Sequence, residues 1–166
     1  MKKTLIILAM LLAPLAINAQ KFGHINIQQI AQALPDYSQA MTDLQNLQKQ
    51  YEEDLKRLED EFNKKYEDYK MNEATLPANI KERRESELQE LNTRMQQYYQ
   101  ESQQNLGKAN QEKMAAIMDK VLNAIKEVGV EGSYVYIMDS TSGAAFINEA
   151  ISIDVTDAVK AKLGIK

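Results

Sequence analysis

Residues 38–71 read SQAMTDLQNLQKQYEEDLKRLEDEFNKKYEDYKM, a stretch with neither glycine nor proline. Its apolar and aromatic residues recur at Leu44, Leu47, Tyr51, Leu55, Leu58, Phe62, Tyr66 and Tyr69. The steps between them follow the eleven-residue repeat of a nearly straight helix with one apolar face. Outside that stripe, Glu52 and Lys56, Glu53 and Arg57, Asp60 and Lys64, and Glu61 and Lys65 stand four apart with the acid first. Each such pair supports a helix by about 0.3 kcal/mol, so a long helix is expected without a globular core around it.

Working outward, Asn72–Asn79 interrupts the pattern, with Asn72 as the helix end, Thr75 as the next cap and Pro77 in the first turn of a second helix. The stripe resumes at Ile80, Leu88, Leu91, Met95, Tyr99, Ser102 and Leu106 and continues through Met114, Ile117, Val121, Ile125 and Val128 as far as Gly129. Two helices of about 50 Å and about 75 Å joined by a short connector are expected to run antiparallel. They form a hairpin arm over residues 38–128 with its tip near 72–79.

The segments on either side, 20–37 and 129–166, read as two halves of one small body. Phe22–Ile27 alternates like a half-buried strand, and a short helix follows from Gln28 to Leu34 with Asn26 as cap and Pro35 as stop. Tyr134–Asp139 reads as a buried strand. Ser140–Gly143 reads as the turn into a second strand at Ala144–Ile147, and Val155–Leu163 as a closing helix capped by Asp154 or Thr156. The fold class is therefore α+β, a helical arm inserted into a β body. About 55 residues make a marginal domain without disulfides or metal, which points to a body shared between subunits of a homo-oligomer, with Phe22, Ile25, Ile27, Val135, Ile137 and Phe146 as its apolar residues.

Composition narrows the function. The 166 residues include no cysteine and one histidine, His24, and the formal net charge is −4. Disulfides and thiolate metal sites are excluded, and no phosphate loop, nucleophile elbow or pair of metal-binding histidines is present. His24 reads as a strand residue at the body interface, and Asp60, Glu61, Glu67 and Asp68 as a solvated face rather than a cation site. No enzyme activity, cofactor or metal is expected, and the acidic balance disfavours nucleic acid as a partner. Lys2 and Lys3, the apolar run Leu5–Leu12 and the small residue Ala19 form a cleavable signal peptide over 1–19, so the chain is expected outside the inner membrane.

The signal, the amino-terminal strand Gly23–Ile30 (GHINIQQI), the long charged hairpin, the strand Tyr134–Asp139 (YVYIMD) and the ending Ile153–Val159 (IDVTDAV) together resemble the Skp (OmpH-like) family of periplasmic chaperones. The resemblance covers nearly the whole mature chain and is most specific at its two ends. It implies a homotrimer with a small β body and three helical arms that hold unfolded outer-membrane proteins, without catalysis or ATP. One departure matters: residues 38–128 carry 14 Lys and Arg against 18 Asp and Glu, so the arms are acidic where better-known members are basic. Lys81, Arg83, Arg84 and Arg94 near the tip alternate with acids, which argues against carrying over a lipopolysaccharide contact.

Within that expectation, Tyr66, Tyr69, Met71, Met95, Tyr98 and Tyr99 in the distal arm are the candidate client-binding residues, because tyrosine and methionine make adaptable apolar contacts. Tyr66, Tyr69, Met95 and Tyr99 also lie on the packing stripe, whereas Met71 and Tyr98 stand at its margin. Gly107 inside the second helix, read as lying opposite Met41–Leu44, is a candidate hinge. The rival reading is a structural or tethering coiled coil of the envelope with one fixed partner.

Overall fold

The computed structural model describes residues 20–143 and 146–165. The signal-peptide assignment and Ala144–Ala145 of the expected second strand lie outside the described residues. In chain order the elements are β1 (Lys21–Ile25), α1 (Ile27–Ala33), α2 (Pro35–Asn72), α3 (Ala78–Glu131), β2 (Tyr134–Asp139), β3 (Ile153–Asp154) and α4 (Thr156–Lys162).

Helix α1 starts where its sequence says it should: the Asn26 carboxamide oxygen accepts the amide of Gln29 at 2.8 Å. Pro35 ends α1 but also opens α2, occupying the first turn where a missing N–H costs nothing. Thr75 does not cap α3. Its hydroxyl and its amide both donate to the Asn72 carbonyl, closing the end of α2, and Pro77 stands at the start of α3. α3 also runs past Gly129 to Glu131 and ends at Gly132. A Cβ on Gly132 would lie 2.2 Å from the Tyr134 ring, so the close approach of that ring requires glycine there.

At 1.5 Å per residue α2 is about 57 Å long and α3 about 81 Å. Contacts between them link Asp36 with Lys120, Asp43 with Lys113, Asp54 with Tyr98 and Tyr69 with Glu85. One number falls as the other rises, so the two helices run in opposite directions. The extra length of α3 reaches into the body.

The seam between them departs from the sequence stripe. On α2 the inward residues are Tyr51, Leu55, Leu58, Phe62, Lys65 and Tyr69, which from Tyr51 onward is a heptad rather than an eleven-residue repeat. Lys65 takes the inward position expected of Tyr66, with its ammonium 3.7 Å from Glu61 on its own helix and 3.8 Å from Glu87 on α3. Tyr66 is displaced to the flank, where its ring stacks on Phe62 at 6.1 Å. On α3 the same slip exchanges Tyr99 for Tyr98.

The core lies at the root of the arm. Ile25, Ile30, Leu34, Ala40, Ile117, Val121, Ala124, Val128, Val155 and Val159 form one buried cluster drawn from both ends of the chain. The sheet has the order β2-β1-β3, and β1 pairs in parallel with both neighbours. Parallel neighbours cannot be joined by a tight turn, so the chain from β2 must cross past β1 to reach β3. Asp139 does receive the Thr141 amide and hydroxyl in a turn. Phe146 and Ile147 are then irregular rather than extended in a ladder, and the next strand is Ile153–Asp154. Asp154 accepts the Thr156 amide at 2.8 Å and starts α4.

Candidate binding surfaces of the arm and body

Charge and polarity are arranged along the arm in three zones. At the root, Lys120 pairs with Asp36 and Lys113 with Asp43, clamping α2 to α3 beside the core. The Lys113 ammonium is the main reason the Asp43 carboxyl sits below its ordinary value. In the distal half the Tyr98 hydroxyl donates to Asp54 at 2.7 Å, its ring meets Tyr51 edge-on, and the buried Tyr69 donates to Glu85. Desolvation, with the Asp54 hydrogen bond second, pushes the Tyr98 phenol up to about 12; the Glu85 hydrogen bond does the same for Tyr69. Both therefore remain donors at any physiological pH. At the tip Glu73 takes Lys70 at 2.9 Å and Lys81 at 3.1 Å, which pulls its carboxyl down and ties the end of α2 to the start of α3.

Between root and distal half, from Leu44 to Glu53 on α2 and Tyr99 to Glu112 on α3, no polar cross-link joins the helices among the described residues. A cleft of about 280 Å³ opens there, walled by Tyr51, Leu55, Tyr99 and Leu106 over Ser102. Ser102 is buried in the seam, and its hydroxyl turns back to the Tyr99 carbonyl at 2.8 Å. A small side chain stands where neighbouring layers hold Met95 and Leu106, and the space it leaves is the cleft.

The six candidate contact residues divide differently from the sequence expectation. Tyr69 is 8% exposed, and Met95 and Tyr98 are half-buried between the helices. Tyr66 at 46%, Tyr99 at 53% and Met71 at 75% present their surfaces outward. Gly107 is exposed, and a Cβ there would meet nothing within 4 Å. It lies between the Asp43–Lys113 and Asp54–Tyr98 links, so it faces the stretch beyond Asp43 rather than Met41–Leu44, and α3 continues through it unbroken.

The body carries the second surface. One face of the sheet covers the core, and the other leaves Phe22 against Tyr136, ring centroids 4.8 Å apart and tilted by 31°, with Met138, Phe146 and Ile151 around a shallow hollow. Phe146 is 93% exposed. Val135 is also exposed, on β2 at the edge of the sheet, whereas Ile27 and Ile137 pack against the core. Ile25, one of the apolar residues expected in the body, is enclosed by its own chain. His24 is half-buried within the sheet, its Nδ1 3.0 Å from the Ser152 hydroxyl. Asp60, Glu61, Glu67 and Asp68 are exposed on α2.

Comparison with known proteins places this architecture. The family model described as outer membrane protein (OmpH-like) matches residues 21–163. The chain belongs to the OmpH-like family. Among solved structures, it is similar to an OmpH-like protein of Caulobacter crescentus assigned as an outer membrane chaperone. They share 16% identity over 87% of this chain and 83% of that one, with a TM-score of 0.75, a likeness of fold. No curated protein matches. Among the described residues no helix is long and apolar enough to cross a membrane.

Sequence reasoning missed two features of these surfaces, the cleft over Ser102 and Ile151 on the open face, and placed Tyr66 on the packing stripe rather than on its flank. Ser102 did signal itself as the polar interruption of an apolar stripe; a small residue at a seam position is the mark of a void beside it.

Proposed function

We propose that the chain is an ATP-independent holding chaperone of the periplasm, which encloses unfolded outer-membrane proteins between its arms and keeps them from aggregating. The observation that carries this reading is a family match over residues 21–163, joined to an arm whose tyrosines and methionine at Tyr66, Tyr99 and Met71 face outward. Each exposed aromatic offers a client about 1.5–3 kcal/mol of apolar burial at most, too little to trap it. Several such contacts on several arms multiply through effective concentration, so holding is firm while each contact stays exchangeable. Membrane insertion releases the client because the bilayer covers its apolar face better than the arms do.

Such enclosure needs more than one arm. The open face of Phe22, Tyr136, Met138, Phe146 and Ile151 supports a body shared between subunits, and the family resemblance favours a homotrimer. Gly107, in the stretch without polar cross-links, serves as the hinge that adjusts arm spread. The arms' acidity limits long-range attraction of acidic clients and of lipopolysaccharide.

Denatured outer-membrane β-barrel protein diluted into buffer with the mature chain tests the proposal. Stoichiometric suppression of light scattering, unaffected by nucleotide, is the expected result; no suppression overturns it. Mass measurement in solution tests the assembly: a trimer is expected, Phe146→Asp shifts it toward monomer, and a wild-type monomer refutes the shared body.

A further inference from the structure

At the root of the arm α3 carries two apolar stripes side by side. Ile117, Val121, Ala124 and Val128 are buried in the core cluster. Met118, Leu122, Ile125 and Gly129 repeat the same spacing one residue further on, and Met118 and Leu122 are exposed. This second stripe leads into a groove between α3 and β2. Ile125, Gly129 and Ile137 line the groove, Val130 and Val135 are exposed at its lip, and Lys126 is its one charged residue. Its volume is about 270 Å³, where about 150 Å³ is enough to hold a benzene ring. The same body carries a matching projection. Asn148 accepts the Ala150 amide with its side chain and the Ile151 and Ser152 amides with its carbonyl, and the Ser152 hydroxyl lies 3.0 Å from His24 Nδ1. That turn holds out Phe146 and Ile151, 93% and 71% exposed, with Glu149 as the one charged residue between them. Neither Glu149 nor Lys126 has an ion-pair partner among the described residues. Within one chain the two features do not meet, since Phe146 and Ile151 border the hollow on the open face of the sheet while the groove lies between β2 and α3.

We infer that this groove receives residues 146–151 of a second copy of the chain, with Phe146 and Ile151 on its apolar lining and Glu149 beside Lys126. Shape, polarity and charge each select that occupant. The projection is convex and the groove concave, so the contact joins two different patches. Such a head-to-tail contact closes into a ring rather than pairing two copies about a twofold axis. The turn at Asn148 is already formed, so little conformational freedom is lost when it docks. The single acid of the projection meets the single base of the groove, which fixes the register of the contact more than its strength. Because α3 runs on from the groove into the arm, the joint seats the root of one arm against the body of its neighbour. This inference rests on the shared-body reading and supplies the contact that reading lacks.

The test follows the mass of the full mature protein by sedimentation, with far-UV ellipticity as the check that each variant is folded. Val130→Glu blocks the groove at a residue 74% exposed and outside the core cluster, and Phe146→Asp removes the projection. Each is expected to weaken assembly at least tenfold. Mixed in equal amounts at high concentration, the two are expected to form a one-to-one pair, because one chain keeps its projection and the other its groove. Lys126→Glu and Glu149→Lys are each expected to weaken assembly severalfold, and the chain carrying both to assemble within twofold of wild type. A wild-type oligomer indifferent to Val130→Glu, a mixture that forms no pair, or a double charge variant no better than the weaker single one each overturns the joint and leaves the shared body standing. A wild-type monomer overturns both. Val130→Glu that keeps its mass but loses aggregation suppression makes the groove a client surface and overturns the joint.

Discussion

Gly107→Ala separates helix propensity from hinge function at one position. Glycine inside a helix is less stable than alanine by about 0.5–1 kcal/mol, because the unfolded chain has more freedom to lose. At Gly107 that difference should appear undiminished: an added Cβ meets no atom within 4 Å, so neither steric strain nor new packing alters it. For a chain of this size the gain corresponds to a rise of about 2–4 °C in melting temperature per kcal/mol. Urea unfolding followed by helical ellipticity measures the stability, and small-angle scattering of the assembled protein measures arm spread. The expected outcome is a stabilised protein with a narrower distribution of spreads and reduced capacity for large clients. Unchanged or lower stability refutes the claim that α3 is continuous and solvent-facing at Gly107. Higher stability with unchanged spread and capacity refutes the hinge and leaves Gly107 as a mere weakness of the helix.

Tyr98→Phe removes the hydroxyl that joins α3 to Asp54 while keeping the ring against Tyr51; a loss of about 1 kcal/mol in urea unfolding is expected, and a loss below about 0.3 kcal/mol shows that the contact does not fasten the distal arm. Val121→Ala deletes two methyl groups at the centre of the root cluster and should cost about 2 kcal/mol, a near-zero cost placing the core elsewhere. Asp43 and Glu73 are held below their ordinary values of 3.8 and 4.5 by lysine partners, so their stabilisation is present above those values and is lost as pH falls through the lower native ones. The double variant Asp43→Asn, Glu73→Gln should therefore melt below the wild type at pH 7, by a gap that narrows as the pH falls below the ordinary carboxylate values; a gap that widens on acidification reverses the sign and refutes the assignment.

The parts of this fold legible in the sequence are those decided locally. Asn26 caps α1 because its carboxamide reaches an amide three residues on, and the 38–71 stripe makes a helix because nothing in it can do otherwise. What the stripe could not decide was its own fine period. Tyr66 continues an eleven-residue repeat and Lys65 a heptad, and the choice between them belongs to the packing of α2 on α3, where the Lys65 ammonium reaches Glu87 as well as Glu61. The same holds in the body. Ser140–Gly143 turns as its residues require, yet whether the following chain pairs with β2 or passes beyond β1 is settled by which strand can lie parallel to β1. Ile25 and Phe22 alternate identically in sequence, and only the root of the arm decides which of the two faces is covered.

Charge along the arm has a meaning that its total conceals. A net −4 over residues 38–128 describes a mildly acidic surface, but the acids and bases are set against one another as pairs within and across the helices at root and tip. Exposed pairs of this kind add little stability; their consequence is to fix register and to keep the two ends of the arm hydrated. In the stretch between them the pairs across the helices stop, while Lys49 with Glu53 and Lys108 with Glu112 still pair within each helix. An interruption of packing alone would produce a weak point, and a run of amides alone would produce a wet surface. The two coincide at Ser102, between a half-buried Tyr51 and an exposed Tyr99.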